Sequence, residues 1–554
     1  MTAPRVIMIG LDGATWRVLR PWALSGELPN LKRIIEGGAT GPLRSTLPPL
    51  TPTGWTSAAT GKAPGKHGVY SFFRPMRASY RRNVLNARDC RAAKIWQIVN
   101  AYGRKAGVVH LPLTYPVDRV DGFMVGGMMT PTTARDVTHP PELLDELEAQ
   151  IPGFTLNVDT TTIKTGRLDE FLADSIEHVR RHRHEMGYLM DTKAWDLFWI
   201  MFYNVDPIAH FFWKFMDPQH PGYPGPNPLS NAVVDIYREA DLAIGEAIDR
   251  LGPNDHIVLL SDHGMEPTHT NVHLTSWLID EGYLVLRSER RQATSEALYR
   301  AGFQRERLVY ALKKAKLGWL PKLFPERMKD KVPRARKTFK EIENNVDWSE
   351  TRAYFPSAGG RAIWINLKGR EPAGIVDPAE FEALRSEIVG KLKALRDDAG
   401  RPVVRMALTR EEAYSGEFIA DAPDIALLAE DGFYFAEGIE RPVLRPNGTK
   451  NTEKSGNHHV DGIVAVYGPG IRPEHELEGS RIIDVAPTVL HLMGLPTQKD
   501  MDGRVLEEAL TVEFRESHPV AYDQARVELD GGDFDYTDDD RGQIEARLKE
   551  MGYM

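Results

Sequence analysis

Four separated fragments of this chain each place metal-ligand side chains at an apolar run. They are Asp12 in VIMIGLDG, Asp206 and His210 in FYNVDPIAH, Asp262 and His263 in IVLLSDHG, and His458 in SGNHHVDGIVAVYGPG. Between the first two lies Thr51, in LTPTGWTSAATGKAPGKHG. Three aspartates, three histidines and one hydroxyl are the ligand and nucleophile types of a two-metal phosphoryl-transfer site.

The spacings divide this set. Asp206 and His210 are four residues apart, so a helical turn starting at Asp206 brings both to one side, suited to a single ion. His458 could complete that set. Asp262 and His263 are adjacent and leave a strand in divergent directions, which suits a second ion with Asp12 and the hydroxyl closing its shell. A bridging aspartate can touch both ions, which lie roughly 3.5–4 Å apart in such sites. A set of Asp and His without Cys favours zinc, with manganese or iron as alternatives, over calcium or magnesium. Asp461 and Asp484 are candidates to orient the imidazoles.

Each fragment has a bland reading as well. An Asp after a strand is often a helix N-cap, and a lone D-x-x-x-H is more often a surface pair. An SDHG turn has little packing value, and the joint occurrence of all four outweighs coincidence. The segment around Thr51 offers three hydroxyls, Thr51, Thr53 and Thr56, and reads as a helix opening there and running to Thr60. N–H groups at a helix start favour a phosphate, and a metal beside the hydroxyl lowers its pKa. Ordinary N-capping by Thr51 or Thr53 is the alternative.

Elements must carry these residues to one place. Apolar runs bounded by turn residues predict strands over 6–11, 106–110, 197–203, 257–260 and 463–466, read as parallel strands with crossover helices. Helices are predicted over 29–37, 94–103, 169–186, 231–251 and 484–494. In open α/β sheets ligands bind beyond the carboxyl ends of the strands, where Asp12, Asp206 and Asp262 all fall. His458 precedes its strand and is expected on a loop over 447–459.

Bulk properties narrow the class. The 554 residues carry a net charge of -9, which argues against a dedicated nucleic-acid binder. A single cysteine, Cys90, excludes an intrachain disulfide and a Cys-based zinc site. The sequence shows no signal peptide and no run of ~18–20 apolar residues, so a cytoplasmic location is expected. The expected organisation is a core over 1–285 with a cap-like insertion at about 130–191, then a basic amphipathic helical insert over 286–345. A smaller α/β subdomain over 346–428, the last part of the core over 429–510 and an extension over 511–554 ending in a docking helix follow. Within 286–340 there are 17 Lys or Arg against 5 Asp or Glu. A solvated helical lid is the plain reading, and peripheral contact with an anionic membrane or polyanion the sharper one.

In this order the fragments resemble the alkaline phosphatase superfamily, and within it the type I phosphodiesterase / nucleotide pyrophosphatase family. The family pattern is an Asp after the first strand, a Thr or Ser before T-G-x-x-P-x-x-H-G, then D-x-x-x-H, D-H-G and a late His before a G-P-G turn. Here these are GLDG, Thr51 with TGKAPGKHG, Asp206 to His210, Asp262-His263-Gly264, and His458 with YGPG. Similar text in IWQIVNAYGRKAGVVHLPLTYP and IIDVAPTVLHLMGLP extends the resemblance from Val6 to about Gly503. It implies a mixed, mostly parallel sheet sandwiched by helices and two divalent ions. Asp206, His210 and His458 would hold one ion, and Asp12, Thr51, Asp262 and His263 the other. Thr51 would be the nucleophile that carries a phosphothreonine intermediate. His459 competes for the late position, but the spacing to Gly462 and the GPG turn favours His458. One departure stands out. Family nucleotide pyrophosphatases place an Asn where this chain has Phe72, to contact a non-bridging phosphate oxygen. Lys66 or Lys454 is expected to supply the missing charge.

The resulting expectation is a metal-dependent phosphoric ester hydrolase acting on a small molecule, a diesterase before a monoesterase. A phosphomutase would keep the same ligands. A non-catalytic adaptor on a decayed hydrolase fold is a different class, and retention of every ligand argues against it.

Overall fold

The structure is a computed structural model that describes residues 3–76, 79–287, 345–356, 361–448, 453–529, 532 and 534–553. Its centre is a ten-stranded sheet. The strands that position the site are β1 (Val6–Leu11), β2 (Gly38–Arg44), β3 (Ala106–Val109), β4 (Gly122–Val125), β5 (Leu197–Phe202), β6 (His256–Leu260) and β9 (Asp461–Tyr467). A separate two-stranded ribbon pairs β7 (Gly264–Pro267) with β8 (Gly456–His459). The helices around them include α1 (Pro29–Gly37), α2 (Thr51–Thr60), α3 (Ile95–Ala101), α4 (Leu168–Thr192), α5 (Val205–Met216), α6 (Ala232–Asp249), α7 (Val485–Leu492) and α8 (Asp538–Glu550).

Across the sheet the order is β2-β9-β6-β1-β5-β3-β4, extended by short strands at both edges. The five strands from β6 to β4 are parallel. Every residue of β1, β5 and β6 is buried, because helices cover both faces. That is why these strands read as unbroken apolar runs and not as alternating ones. The expected parallel strand at 463–466 is longer, and β9 runs antiparallel to both its neighbours, β2 and β6. An antiparallel strand begins at the edge where its parallel neighbours end. The residues before it therefore reach the carboxyl edge, beside Asp12, Asp206 and Asp262.

Residues 130–191 add Thr138–His139 to the sheet edge and supply α4, which packs along α6. The basic insert expected over 286–345 lies outside the described residues except at its ends, where Leu286 bridges to Val346. A four-stranded antiparallel sheet over 353–429, with the helix Phe381–Ala394 against it, has an apolar cluster of its own. Among the described residues no helix is long and apolar enough to cross a membrane.

The last helix, α8, is capped at its start by Thr537, whose hydroxyl accepts from the Asp540 N–H. It buries Ile544, Leu548 and Met551. It ends in a Schellman turn, with Gly552 at φ 78° and the Tyr553 N–H donating to Leu548 O at 2.8 Å.

Candidate active site

The structure brings Asp12, Thr51, Asp206, His210, Asp262, His263 and His458 into one buried cluster at the carboxyl edge of the sheet. Six of the seven side chains are wholly buried, and His458 is 3% exposed. Asp12 follows β1, Asp262 and His263 follow β6, and Asp206 lies in the first turn of α5, just after β5. His458 is not on a loop as expected. It sits in β8 opposite Met265 of β7, and a four-residue GNHH strand has too short a pattern to be read from sequence.

Close approach depends on two glycines. Gly13 has φ 64°, and a Cβ there would lie 2.7 Å from Asp206 Oδ1. A Cβ on Gly54 would lie 2.8 Å from the Asp262 Cβ, so only glycine lets the start of α2 rest on that strand end. Thr51 is the first residue of this helix, with Leu50 at the cap position. Its hydroxyl is therefore not spent on capping and stands 3.4 Å from His263 Nε2.

The imidazole tautomers follow from what each Nδ1 faces. His210 Nδ1 lies 2.7 Å from Gly456 O, His458 Nδ1 2.9 Å from Pro49 O, and His263 Nδ1 3.1 Å from Gly264 O. A carbonyl oxygen only accepts, so each Nδ1 carries the proton and each Nε2 presents a lone pair inward. Backbone carbonyls thus do the orienting expected of Asp461 and Asp484. Asp484 instead accepts from the Arg481 and Arg504 N–H groups, and Asp461 faces Arg44 at 3.9 Å.

These lone pairs meet other acceptors. His210 Nε2 is 3.0 Å from His458 Nε2 and 3.2 Å from Asp206 Oδ2. His263 Nε2 is 3.1 Å from Asp262 Oδ2 and 3.6 Å from Asp12 Oδ1. Both Asp12 carboxylate oxygens, Asp206 Oδ1 and Asp262 Oδ2 have no hydrogen-bond donor among the described residues. Burial, reinforced by the neighbouring carboxylates, pushes Asp12 and Asp262 well above the ordinary carboxylate range. Burial also holds the imidazoles neutral, with His263 pushed down to about 3. Acceptors converging in a buried space, four carboxylate oxygens among them without a donor, call for cations, and the donor set fits two. Asp206, His210 and His458 form one possible ligand group and Asp12, Asp206 and His263 another, sharing Asp206.

The three residues singled out for substrate separate here. Lys66 points away and pairs with Asp502 at 2.5 Å. Lys454 lines the cleft over His458 together with Arg361. Phe72 is wholly buried, its ring 4.9 Å from that of Tyr553. His459 turns outward, where its Nδ1 accepts from the Asp461 N–H.

Two residues at the site were not anticipated. Arg361 donates to Asn457 at 2.6 Å beside the cleft. The Tyr553 hydroxyl donates to Asp206 Oδ2, and its ring lies 6.0 Å from both His210 and His458. Lys454 Nζ sits 4.3 Å over the same ring. Burial, then the nearby carboxylates, holds the Tyr553 hydroxyl protonated and therefore a donor. The one local sign of Tyr553 was its place after the helix-stopping Gly552, a position that usually marks only a packing contact.

A mostly parallel α/β sheet with a hydroxyl-bearing helix start and a buried Asp/His cluster at its carboxyl edge is an alkaline-phosphatase-like arrangement. The chain belongs to the type I phosphodiesterase / nucleotide pyrophosphatase family, whose sequence profile matches residues 6–461. It is accordingly a hydrolase acting on phosphoric ester bonds. Among solved structures, a phosphonoacetate hydrolase from Sinorhizobium meliloti 1021 is 17% identical, covering 89% of this chain and 96% of that one with a TM-score of 0.50. Human ectonucleotide pyrophosphatase / phosphodiesterase 5 is 13% identical, covering 92% and 100%, also with a TM-score of 0.50. At these identities the likeness is one of fold. A 2,3-bisphosphoglycerate-independent phosphoglycerate mutase from Laribacter hongkongensis (strain HLHK9) is 46% identical over 52 residues, which span 9% of this chain and only 10% of that relative.

Proposed function

We propose that this enzyme hydrolyses phosphoric diesters through a phosphothreonine formed at Thr51, with two divalent ions, for which the Asp/His donor set favours zinc over manganese or iron. The observation that carries this is the Thr51 hydroxyl at the helix start, 3.4 Å from an inward lone pair of His263 and amid carboxylate oxygens without donors. Asp206, His210 and His458 would hold one ion, and Asp12, Thr51, Asp262 and His263 the other. When bound, the ions act as Lewis acids on the attacking and leaving oxygens and lower the pKa of the hydroxyl. Their four positive charges match three carboxylates and one threonine alkoxide. That balance explains how so much negative charge can be buried.

In the first step Thr51 Oγ, its proton released to water, attacks phosphorus as the bond to the leaving oxygen breaks, and that oxygen takes a proton from water and departs as the alcohol. In the second, water attacks the phosphothreonine, the P–Oγ bond breaks and the hydroxyl is restored. Lys454 and Arg361 flank the cleft over His458 and supply positive charge toward the phosphate. They stand in for the Asn that Phe72 replaces. The preference for a diester follows the family.

The local likeness to a phosphoglycerate mutase supports a second reading, a phosphomutase that returns the phosphoryl group to its substrate. One experiment separates the two. Wild type and Thr51→Ala are assayed on a panel of chromogenic mono- and diesters and on a phosphoglycerate, with zinc or manganese, and acid-quenched samples are searched for phosphothreonine by mass spectrometry. Turnover of a diester with a phosphopeptide containing Thr51 is expected. A Thr51→Ala variant as active as wild type would remove the mechanism, and isomerised product without hydrolysis would favour the mutase.

A further inference from the structure

A second set of buried donors lies on the α4 side of the sheet and shares no residue with the Thr51 cluster. His110 follows β3 in the left-handed region at φ 63°, and its side chain is wholly buried. Facing it from α4 are His178, His182 and Glu185, which are 2%, 1% and 0% exposed. His182 and Glu185 are three residues apart and His178 is one turn earlier, so all three share one helix face. Nδ1 or Nε2 of His110 and His182 and a Glu185 oxygen lie within 4.8 Å of one another.

The hydrogen bonding leaves this set incomplete. His110 Nε2 meets Glu185 Oε2 in a 2.7 Å hydrogen-bonded pair, while its Nδ1 lies 3.4 Å from Gly126 O. His182 stacks on the His110 ring at 3.9 Å, yet neither of its nitrogens has a partner. His178 donates from Nε2 to Thr155 O at 3.1 Å, and its ring also faces the Asn204 side chain. Glu185 Oε1, like the His182 nitrogens, is unmatched. A proton on His110 would satisfy one contact of this group. A metal ion would satisfy His110, His182 and Glu185 together.

We infer that His110, His182 and Glu185 bind a third divalent ion, of zinc type, with His178 beside it as the nearest further donor. Two imidazoles and a carboxylate are ligands that zinc accepts. All of its donors are buried, so an ion there would be structural, tying the end of β3 to α4. Burial holds His182 and His178 neutral, the form in which imidazole binds metal.

The test counts metal in the untagged full chain after zinc loading and exhaustive dialysis. Wild type is expected to hold three ions per chain, and Glu185→Gln one fewer. A variant carrying Asp12→Asn, Asp206→Asn and His458→Ala, which disarms the Thr51 site, should retain one ion, and adding Glu185→Gln should remove it. Cobalt loading of the disarmed variant should give a ligand-field absorption band that Glu185→Gln abolishes. Chelator should lower the Tm of the disarmed variant, and Glu185→Gln should erase that shift. His182→Ala should also hold one ion fewer, and should it fail to fold, the near-isosteric Glu185→Gln still decides. Equal metal content in wild type and Glu185→Gln overturns the inference, as water filling the same space would produce. A Thr51 site without metal gives a different result, one ion in wild type that Glu185→Gln removes.

Discussion

Tyr553→Phe is the most informative single change at the Thr51 site. Asp206 belongs to both potential ligand groups, and its two oxygens are treated differently. Oδ2 accepts the Tyr553 hydroxyl, while Oδ1 has no donor and lies 3.5 Å from His458 Nε2. Tyr553 therefore fixes the carboxylate with one oxygen and leaves the other for an ion, the usual task of a partner behind a metal ligand. Phe keeps the ring against Phe72 and under Lys454 and deletes only the hydroxyl. A hydrogen bond to a charged group contributes about 1.5–3 kcal/mol net. If that energy goes into holding Asp206 in its binding orientation, its loss weakens metal affinity by roughly 10- to 150-fold.

The assay is competition against a chromophoric chelator with the full chain, paired with activity titrated against free zinc. The expected result is a right-shifted metal curve, with kcat at saturating zinc within a few-fold of wild type. Thermal unfolding of the zinc-loaded variant should stay close to wild type, since packing is unchanged. An unshifted metal curve would refute the orienting role. So would tighter binding, because it would mean that the hydroxyl competes with the ion.

The other expectations concern the same cleft. Thr51→Ala should lose more than about 10³-fold in kcat, with the metal count changed by no more than its own contribution, checked by turnover and metal analysis. Gly13→Ala should destabilise the fold by roughly 1–3 kcal/mol through its left-handed backbone, and should weaken metal binding by crowding Asp206, checked by denaturant unfolding and chelator competition. Lys454 is pushed down to about 7, first by burial and then by Arg361, although Asp206 opposes the shift. A lowered lysine carries its charge below that pH and loses it above. The KM for a diester should therefore rise as pH climbs through about 7, and this rise should move to higher pH in Lys454→Arg. Lys66→Ala should leave KM for the same substrate unchanged, because Lys66 faces Asp502.

Much of this site was legible in the chain because strand ends and their ligands are local. VIMIGLDG, FYNVDPIAH and IVLLSDHG each contain both the buried strand and the residue it delivers. β1 and α1 begin and end where the apolar pattern places them. Strand direction is not local. The apolar run IVAV looks the same whichever way its neighbours run, so the antiparallel course of β9 appears only with the sheet assembled. The orienting partners of the histidines were illegible for a related reason: they are backbone carbonyls, which every residue carries.

Tyr553 marks the longest reach of this kind. It lies 347 positions from Asp206, and nothing in KEMGYM distinguishes it from a helix-end packing residue. The departure at Phe72 and the presence of Tyr553 are physically one feature. Where family nucleotide pyrophosphatases place a polar amide, this chain has an apolar ring that packs against Tyr553 and supports the hydroxyl on Asp206. An Asn at position 72 would remove that support. Phe72→Asn should therefore not confer nucleotide pyrophosphatase activity by itself. It should lower metal affinity in the same direction as Tyr553→Phe, and the two changes combined should cost less than the product of their separate effects. Independent, multiplicative losses in a double-mutant cycle would show that the two rings act separately.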